Sequence, residues 1–293
     1  MYKKTLAVVI GLLGLVVSSA DASVLSQPVY NEQGEIIGTT RSGSVAATGP
    51  ELPEGYSMLT VKQGDVTGDG IADTVYLAGR KEKADSIYAA DLCLIVKNGQ
   101  DNSLYRKPLE QVGGYDARMF LGDFSGDHVD DVYVETASGG SGGWYYHNIV
   151  TFRNGEAKEI FGKQDNETAY LTGTFQDGWK MELKNRLNGR TLLLDLHDRQ
   201  ADYVRLGLYK ENGTLVGDNR AMPAPYGRME ASDIDGDGVY ELTGLQRISG
   251  AYRADGLADI ETVLKYSGSA WQATSIRVTI PMGGGQATPA RTQ

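Results

Sequence analysis

Between Tyr56 and Ile280, apolar residues alternate with polar ones or fall into short blocks, with Gly, Asn and Asp between them. Thr74-Val75-Tyr76-Leu77, Val132-Tyr133-Val134, Asn148-Ile149-Val150-Thr151-Phe152 and Thr191-Leu192-Leu193-Leu194 are typical blocks. β-branched and aromatic residues at this spacing suit a pleated, half-buried surface, so each block predicts a strand. Asn98-Gly99, Asn154-Gly155, Asn188-Gly189 and Asn212-Gly213 supply tight turns. Helical spacing is almost absent, and the pattern predicts an all-β fold.

The ends of the chain read differently. Lys3 and Lys4 precede an apolar run from Leu6 to Val17, followed by Ser18-Ser19-Ala20-Asp21-Ala22. This is the form of a secretory signal peptide over residues 1–22, with cleavage predicted after Ala22. The run is shorter than the roughly 20 apolar residues a spanning helix needs. The expectation is a secreted protein, at the cell or spore surface, with no membrane span after cleavage. Residues 23–54 read as an N-terminal segment and linker, with a small hairpin turning around Asn31 to Gly34. Residues 282–293 read as a disordered Gly/Pro/Ala/Thr tail.

Three acidic loops punctuate the strand blocks. They are Asp65 to Asp73, Asp123 to Asp131 and Asp233 to Glu241, each with oxygen groups at positions 1, 3, 5 and 9. Their starts are 123 − 65 = 58 and 233 − 123 = 110 residues apart, so a missing copy belongs near position 178. The chain there has Leu171 to Phe175, the Asp177-Gly178 turn and Lys180 to Leu183, but no ligand series. The expected repeat domain spans 55–281, in units of about 56–115, 116–169, 170–227 and 228–281, the third degenerate. Units of this size with about four strands predict a β-propeller-like array of blade-type repeats.

Alternate side chains of a tight loop converge, and calcium takes 6–8 oxygen ligands. The candidate ligands are Asp65, Thr67, Asp69 and Asp73 with the Ile71 carbonyl; Asp123, Ser125, Asp127 and Asp131 with the Val129 carbonyl; and Asp233, Asp235, Asp237 and Glu241 with the Val239 carbonyl. Up to three structural Ca2+ ions are expected. The third loop has four carboxylates and is expected to bind tightest. The second has Ser125 at position 3 and His128 where glycine is expected, so it is ranked weakest. An EF-hand needs a Glu at position 12 and flanking helices; position 12 is Tyr76, Val134 and Gly244. The loops resemble instead the FG-GAP or VCBS repeats of secreted bacterial proteins and of the integrin alpha-chain propeller. That resemblance implies a calcium-holding loop between two strands of a blade. The four units here are fewer than a closed integrin-type propeller has.

Charge and chemistry narrow the function. A formal net charge of −10 argues against nucleic acid. The single cysteine, Cys93, lies in an apolar block and reads as a buried core residue. Gly139-Gly140-Ser141-Gly142-Gly143 matches a hydrolase nucleophile pattern, but Trp144-Tyr145-Tyr146 continues as a strand where that mechanism needs a helix. His147 and His197 are weak candidates for catalytic bases. Tyr115, Tyr145, Tyr146, Tyr226 and Tyr252 suit either packing or contact with a partner. The leading expectation is a non-enzymatic calcium-binding protein with a protein or glycan partner at the surface. The alternative is a secreted hydrolase or carbohydrate-active protein using the propeller face.

Overall fold

The computed structural model describes residues 26–30, 36–41, 49–110, 112–140, 142–218 and 220–281. The predicted signal segment, the turn of the first hairpin, Ser141 and the predicted tail lie outside them. The chain divides into two compact units, residues 1–49 and 50–293. In the first, β1 (Ser26–Tyr30) and β2 (Ile36–Arg41) pair antiparallel, with Val29 opposite Gly38.

The second unit is mostly β, with antiparallel sheets. β3 (Tyr56–Gly64), β4 (Asp73–Arg80), β5 (Tyr88–Lys97) and β6 (Leu104–Pro108) form one meander. β7 (Gly114–Gly122), β8 (Asp131–Ala137), β9 (Tyr145–Thr151) and β10 (Lys158–Phe161) form the next. A short β5–β7 pairing joins the two into one 8-stranded sheet. β11 (Leu171–Gln176), β12 (Lys180–Asn185) and β13 (Thr191–Asp195) make a 3-stranded sheet. β14 (Met222–Pro223), β15 (Met229–Ser232), β16 (Glu241–Ser249), β17 (Gly256–Tyr266) and β18 (Trp271–Thr279) make the last. No sheet among the described residues closes into a barrel.

Alternation along the strands builds three sheet-to-sheet cores. Val75, Leu77 and Leu94 meet Met119, Val132 and Val150. Phe124, Tyr133 and Phe161 meet Met229, Leu242 and Trp271. Leu171, Phe175 and Met181 meet Ile248, Leu257 and Ile260. Each such side chain contributes roughly 1.5–3 kcal/mol by leaving water. The cores therefore join the first meander to the second, the second to the last sheet, and the last sheet to the 3-stranded one. The second meander thus packs on the last sheet, although the 3-stranded sheet comes between them in the chain. The Trp271 Nε1–H seals the second core by donating to the Ile160 carbonyl at 2.7 Å.

Two short helices, α1 (Lys163–Asn166) and α2 (Gln200–Arg205), interrupt the strands. α2 has too few turns to show periodicity in the sequence. It is held by buried Tyr203, whose hydroxyl donates to Asp255.

Candidate metal centre in the acidic loops

Each acidic loop closes a hairpin, and its carboxylates fold it. Position 9 pairs across the ladder with the residue before position 1: Asp73 with Gly64, Asp131 with Gly122, and Glu241 with Ser232. The first aspartate accepts backbone N–H groups three and five residues on. Gly68 and Gly70 donate to Asp65, Gly126 and His128 to Asp123, and Gly236 and Gly238 to Asp233, all at 2.6–3.0 Å. The position-5 aspartate accepts from the residue two on. The position-9 carboxylate reaches back to the N–H groups of positions 2 and 3, or of position 2 alone in the third loop. Position 6 takes a left-handed φ in all three: 83° at Gly70, 64° at His128 and 87° at Gly238. His128 accepts the uncommon conformation that glycine adopts freely, and the second loop keeps its shape.

The loops lie side by side. Asp130 N–H donates to the Asp65 carbonyl at 3.1 Å, and Tyr240 N–H donates to the Asp123 carbonyl at 2.7 Å. Position 8 of one loop thus bonds position 1 of its neighbour, with the second loop in the middle. This approach requires the glycine before the first aspartate. A Cβ on Gly64 would stand 2.7 Å from Asp130 Oδ2, and one on Gly122 2.9 Å from the Tyr240 ring. The third loop has no neighbour beyond it and carries Ser232 instead.

Differences emerge among the oxygens not used to fold the loops. In the first loop, Asn98 Nδ2 donates to Thr67 Oγ1 at 3.1 Å and Asp69 Oδ2 at 2.8 Å, while Gly99 N–H donates to Asp73 Oδ1 at 3.0 Å. In the third, Lys265 Nζ lies 2.9 Å from Asp235 Oδ2, 2.7 Å from Asp237 Oδ2 and 2.8 Å from Glu241 Oε1. Those three carboxylates, Asp237 foremost, hold the ammonium well above the usual lysine range. Asp233, Asp235 and Asp237 bring ligand oxygens within 4.8 Å of one another, all exposed. The loop ranked tightest from its carboxylate count thus carries its own cation.

The second loop lacks such a substitute at two positions. Arg153 reaches only Asp127, at 2.7 Å. Asp131 is fully buried and its Oδ1 has no hydrogen-bond partner; nor has the buried Oγ of Ser125. The Ser125 hydroxyl is near enough to ease the charge on Asp131, but the pair lacks hydrogen-bonding geometry. Burial pushes the Asp131 carboxyl up to about 6, against the pull of the Phe124 and Ser125 N–H groups. A buried carboxylate oxygen without a partner costs desolvation energy. Asp123, Ser125, Asp127 and Asp131 offer oxygen donors of the kind a divalent cation takes, but among the described residues only the third loop holds three carboxylates within 4.8 Å of one another.

Asn98 reads in the sequence only as a turn residue, and Arg153 and Lys265 carry no signal there. They occupy related places at or just past the end of the second strand after each loop, β5, β9 and β17. Asn98 and Lys265 fall one ladder step beyond the pairs Thr74–Lys97 and Leu242–Leu264, opposite Asp73 and Glu241. Opposite Asp131, one step beyond Val132–Val150, stands Thr151.

The other candidates fall elsewhere. His147 is buried, with Nε2 2.8 Å from the Gly227 carbonyl and Nδ1 2.8 Å from the Tyr133 hydroxyl. A carbonyl only accepts, so Nε2 carries the proton and Tyr133 donates to Nδ1. His147 is a structural link between two sheets. His197 is exposed and bonded to Asp195. Tyr226 is fully buried, whereas Tyr115, Tyr146 and Tyr252 are exposed. Cys93 is buried, as the sequence predicts.

Residues 169–279 match the family described as the YybI C-terminal domain. The chain is 32% identical to the uncharacterized protein YybI of Bacillus subtilis strain 168 over 225 residues, covering 76% of this chain and 85% of that protein. Among solved structures, the rhamnogalacturonan lyase PL11 of Bacillus licheniformis aligns with a TM-score of 0.33 at 13% identity, over 86% of this chain. The exotype rhamnogalacturonan lyase YesX aligns at 0.33 and 14%, over 87% of this chain. The chain spans 38% and 37% of those two proteins. The FG-GAP/VCBS assignment is corrected by these matches. The acidic nonapeptide is a local solution to closing a hairpin with carboxylates that accept backbone N–H groups, so its presence does not define ancestry. The matches to YybI cover long stretches of strand and core instead, and on them the chain belongs to the YybI family.

Proposed function

We propose that this protein is a secreted, non-enzymatic β module with a structural or binding role at the cell surface, stabilised by one calcium ion in its second acidic loop. The observation that carries the metal assignment is the pair of buried, unpartnered oxygens, Ser125 Oγ and Asp131 Oδ1. Asp123, Ser125, Asp127 and Asp131, with the Val129 carbonyl, would hold the ion. Its role is to neutralise a buried carboxylate where the flanking loops use Asn98 and Lys265. The first and third loops are assigned as cation-independent. The basic and apolar character of residues 1–22 supports secretion, and no helix of the described residues is long and apolar enough to cross a membrane. The four strand groups are blade-like in their meandering order. We infer an open stack of them, since the last sheet packs between the second meander and the 3-stranded sheet. Thermal unfolding with calcium and with EDTA at matched ionic strength tests the proposal. Calcium is expected to raise the Tm, and Asp131→Asn to remove that rise. An unchanged Tm would refute the metal reading.

A further inference from the structure

A second place in the molecule leaves a buried acceptor unpaired, and it opens into a cleft. A cavity of about 660 Å³ lies between β7–β8 and β15–β17. Its floor is Glu135 of β8, whose side chain is only 8% exposed. Glu135 Oε1 meets the Arg228 guanidinium at 3.3 Å, but Oε2 is buried without a hydrogen-bond partner. The Tyr133 hydroxyl is near enough to feel the Glu135 charge, but Oε2 lacks a bond of hydrogen-bonding geometry to it. The hydroxyl's single proton is committed to Nδ1 of His147, because Nε2–H of that ring is committed to the Gly227 carbonyl. Burial raises the Glu135 carboxyl above the ordinary range despite Arg228 and Arg118 nearby. The cleft thus presents an aimed acceptor that the fold does not satisfy.

The surroundings limit what satisfies it. Arg118 stands opposite Glu135 in the β7–β8 ladder, and Arg228 lies on the other side of the cleft. These guanidiniums oppose an ammonium beside Glu135. Arg118 is paired with Asp116, Arg228 with Glu135 and Glu261 with Arg277, and Glu230 adds a further carboxylate to the lining, so no net positive charge draws in an anion. Met119 and Phe120 supply an apolar wall, and exposed Leu245 stands at the rim. A neutral ligand with several hydroxyls fits this set: one hydroxyl donates to Glu135, others accept from the arginines, and C–H faces lie on the apolar wall.

We propose that this cleft binds a neutral saccharide, with Glu135 Oε2 accepting from a sugar hydroxyl and Arg228 and Arg118 donating to sugar oxygens. This gives the binding role above a ligand class. It uses no residue of the acidic loops, so binding measured in EDTA separates its failure from that of the calcium reading.

The test is calorimetric titration of the full chain, in calcium and in EDTA, with maltotriose, cellotriose and N,N′-diacetylchitobiose as neutral probes, and with spermidine and citrate as charged controls. At least one neutral probe is expected to bind with a Kd of about 1 mM or tighter. Glu135→Gln is expected to weaken it about tenfold or more, since a bond to a charged acceptor is lost. Leu245→Trp fills the mouth from an exposed position and is expected to abolish binding at unchanged Tm, which keeps the test valid if Glu135→Gln fails to fold. Binding of no neutral probe at 20-fold above that Kd, preference for spermidine or citrate, or binding indifferent to Leu245→Trp would each overturn the assignment.

Discussion

The second and third acidic loops share one backbone and one set of carboxylates folding it, yet they handle their charge differently. The third loop has four carboxylates, Asp233, Asp235 and Asp237 exposed and Glu241 buried; Lys265 reaches three of the four, the buried one included. The second has three carboxylates and a serine, but neighbouring loops cover it on both sides. Its position-9 carboxylate is buried, and the residue opposite is Thr151 rather than a cation. Counting ligands therefore ranks the third loop first, while asking which oxygens are already satisfied ranks the second first. A metal gains most where desolvation is already imposed by the fold and no side chain offsets it. A lysine ammonium delivered by the adjoining strand makes the ion redundant.

Four perturbations sharpen that contrast. The largest effect is expected from calcium itself. Free calcium about a thousandfold above Kd stabilises a single-site protein by about 4 kcal/mol, and this gain is expected to vanish in Asp131→Asn. Asn cannot neutralise the ion, but it relieves the buried charge, so the same variant in EDTA is expected to unfold no lower than wild type.

Acid acts on the second loop and on its neighbour with opposite signs: protonating Asp131, raised to about 6, relieves a buried charge, while His147 loses its contribution. Burial lowers His147 on β9 to about 4 from an ordinary value of 6.5. The neutral ring is the folded form, so its contribution is present above pH 6.5 and is lost as pH falls through 6.5 towards 4. The loss approaches about 3 kcal/mol below pH 4. In EDTA, urea unfolding of Asp131→Asn across this range should show it, free of the opposing Asp131 gain, and equally when Lys265→Met is added; a loss confined to one of the two would tie His147 to the loops.

Asn98→Ala removes the amide that caps the first loop and anchors the Gln100 and Asp101 N–H groups. A cost of about 2 kcal/mol is expected from denaturant midpoints. The first loop then resembles the second, with buried Thr67 unpartnered, and a new calcium response is the outcome to look for. Lys265→Met leaves Asp235 and Asp237 screened by solvent but takes the cation from buried Glu241, and a loss of a few degrees of Tm in EDTA is expected. Its value lies in the gain: a second calcium site, read as a doubled stoichiometry.

Much of this fold is visible in the chain because it is local. Thr74 to Leu77, Val132 to Val134 and Thr191 to Leu194 lie in strands. Asp177-Gly178 turns a hairpin between β11 and β12, with Gly178 at φ 78°. The loops are legible for the same reason, since each carboxylate acts within seven residues of itself. What sets their chemistry is not local. Asn98, Arg153 and Lys265 arrive from 24 to 31 residues away along the chain, across a ladder register that no spacing rule reveals. The stacking of the loops does have a signal in the chain. Glycine precedes the first aspartate at Gly64 and Gly122 but not at Ser232, and it marks the two loops with a close neighbour. The order of the sheets has none, because alternation marks which side chains leave water and not which sheet they meet.

Calorimetric titration of the metal-stripped full chain with Ca2+ tests the central claim most directly. The account predicts one site per chain in the wild type and none in Asp131→Asn. Three equivalent sites, or a single site that survives Asp131→Asn, would contradict it.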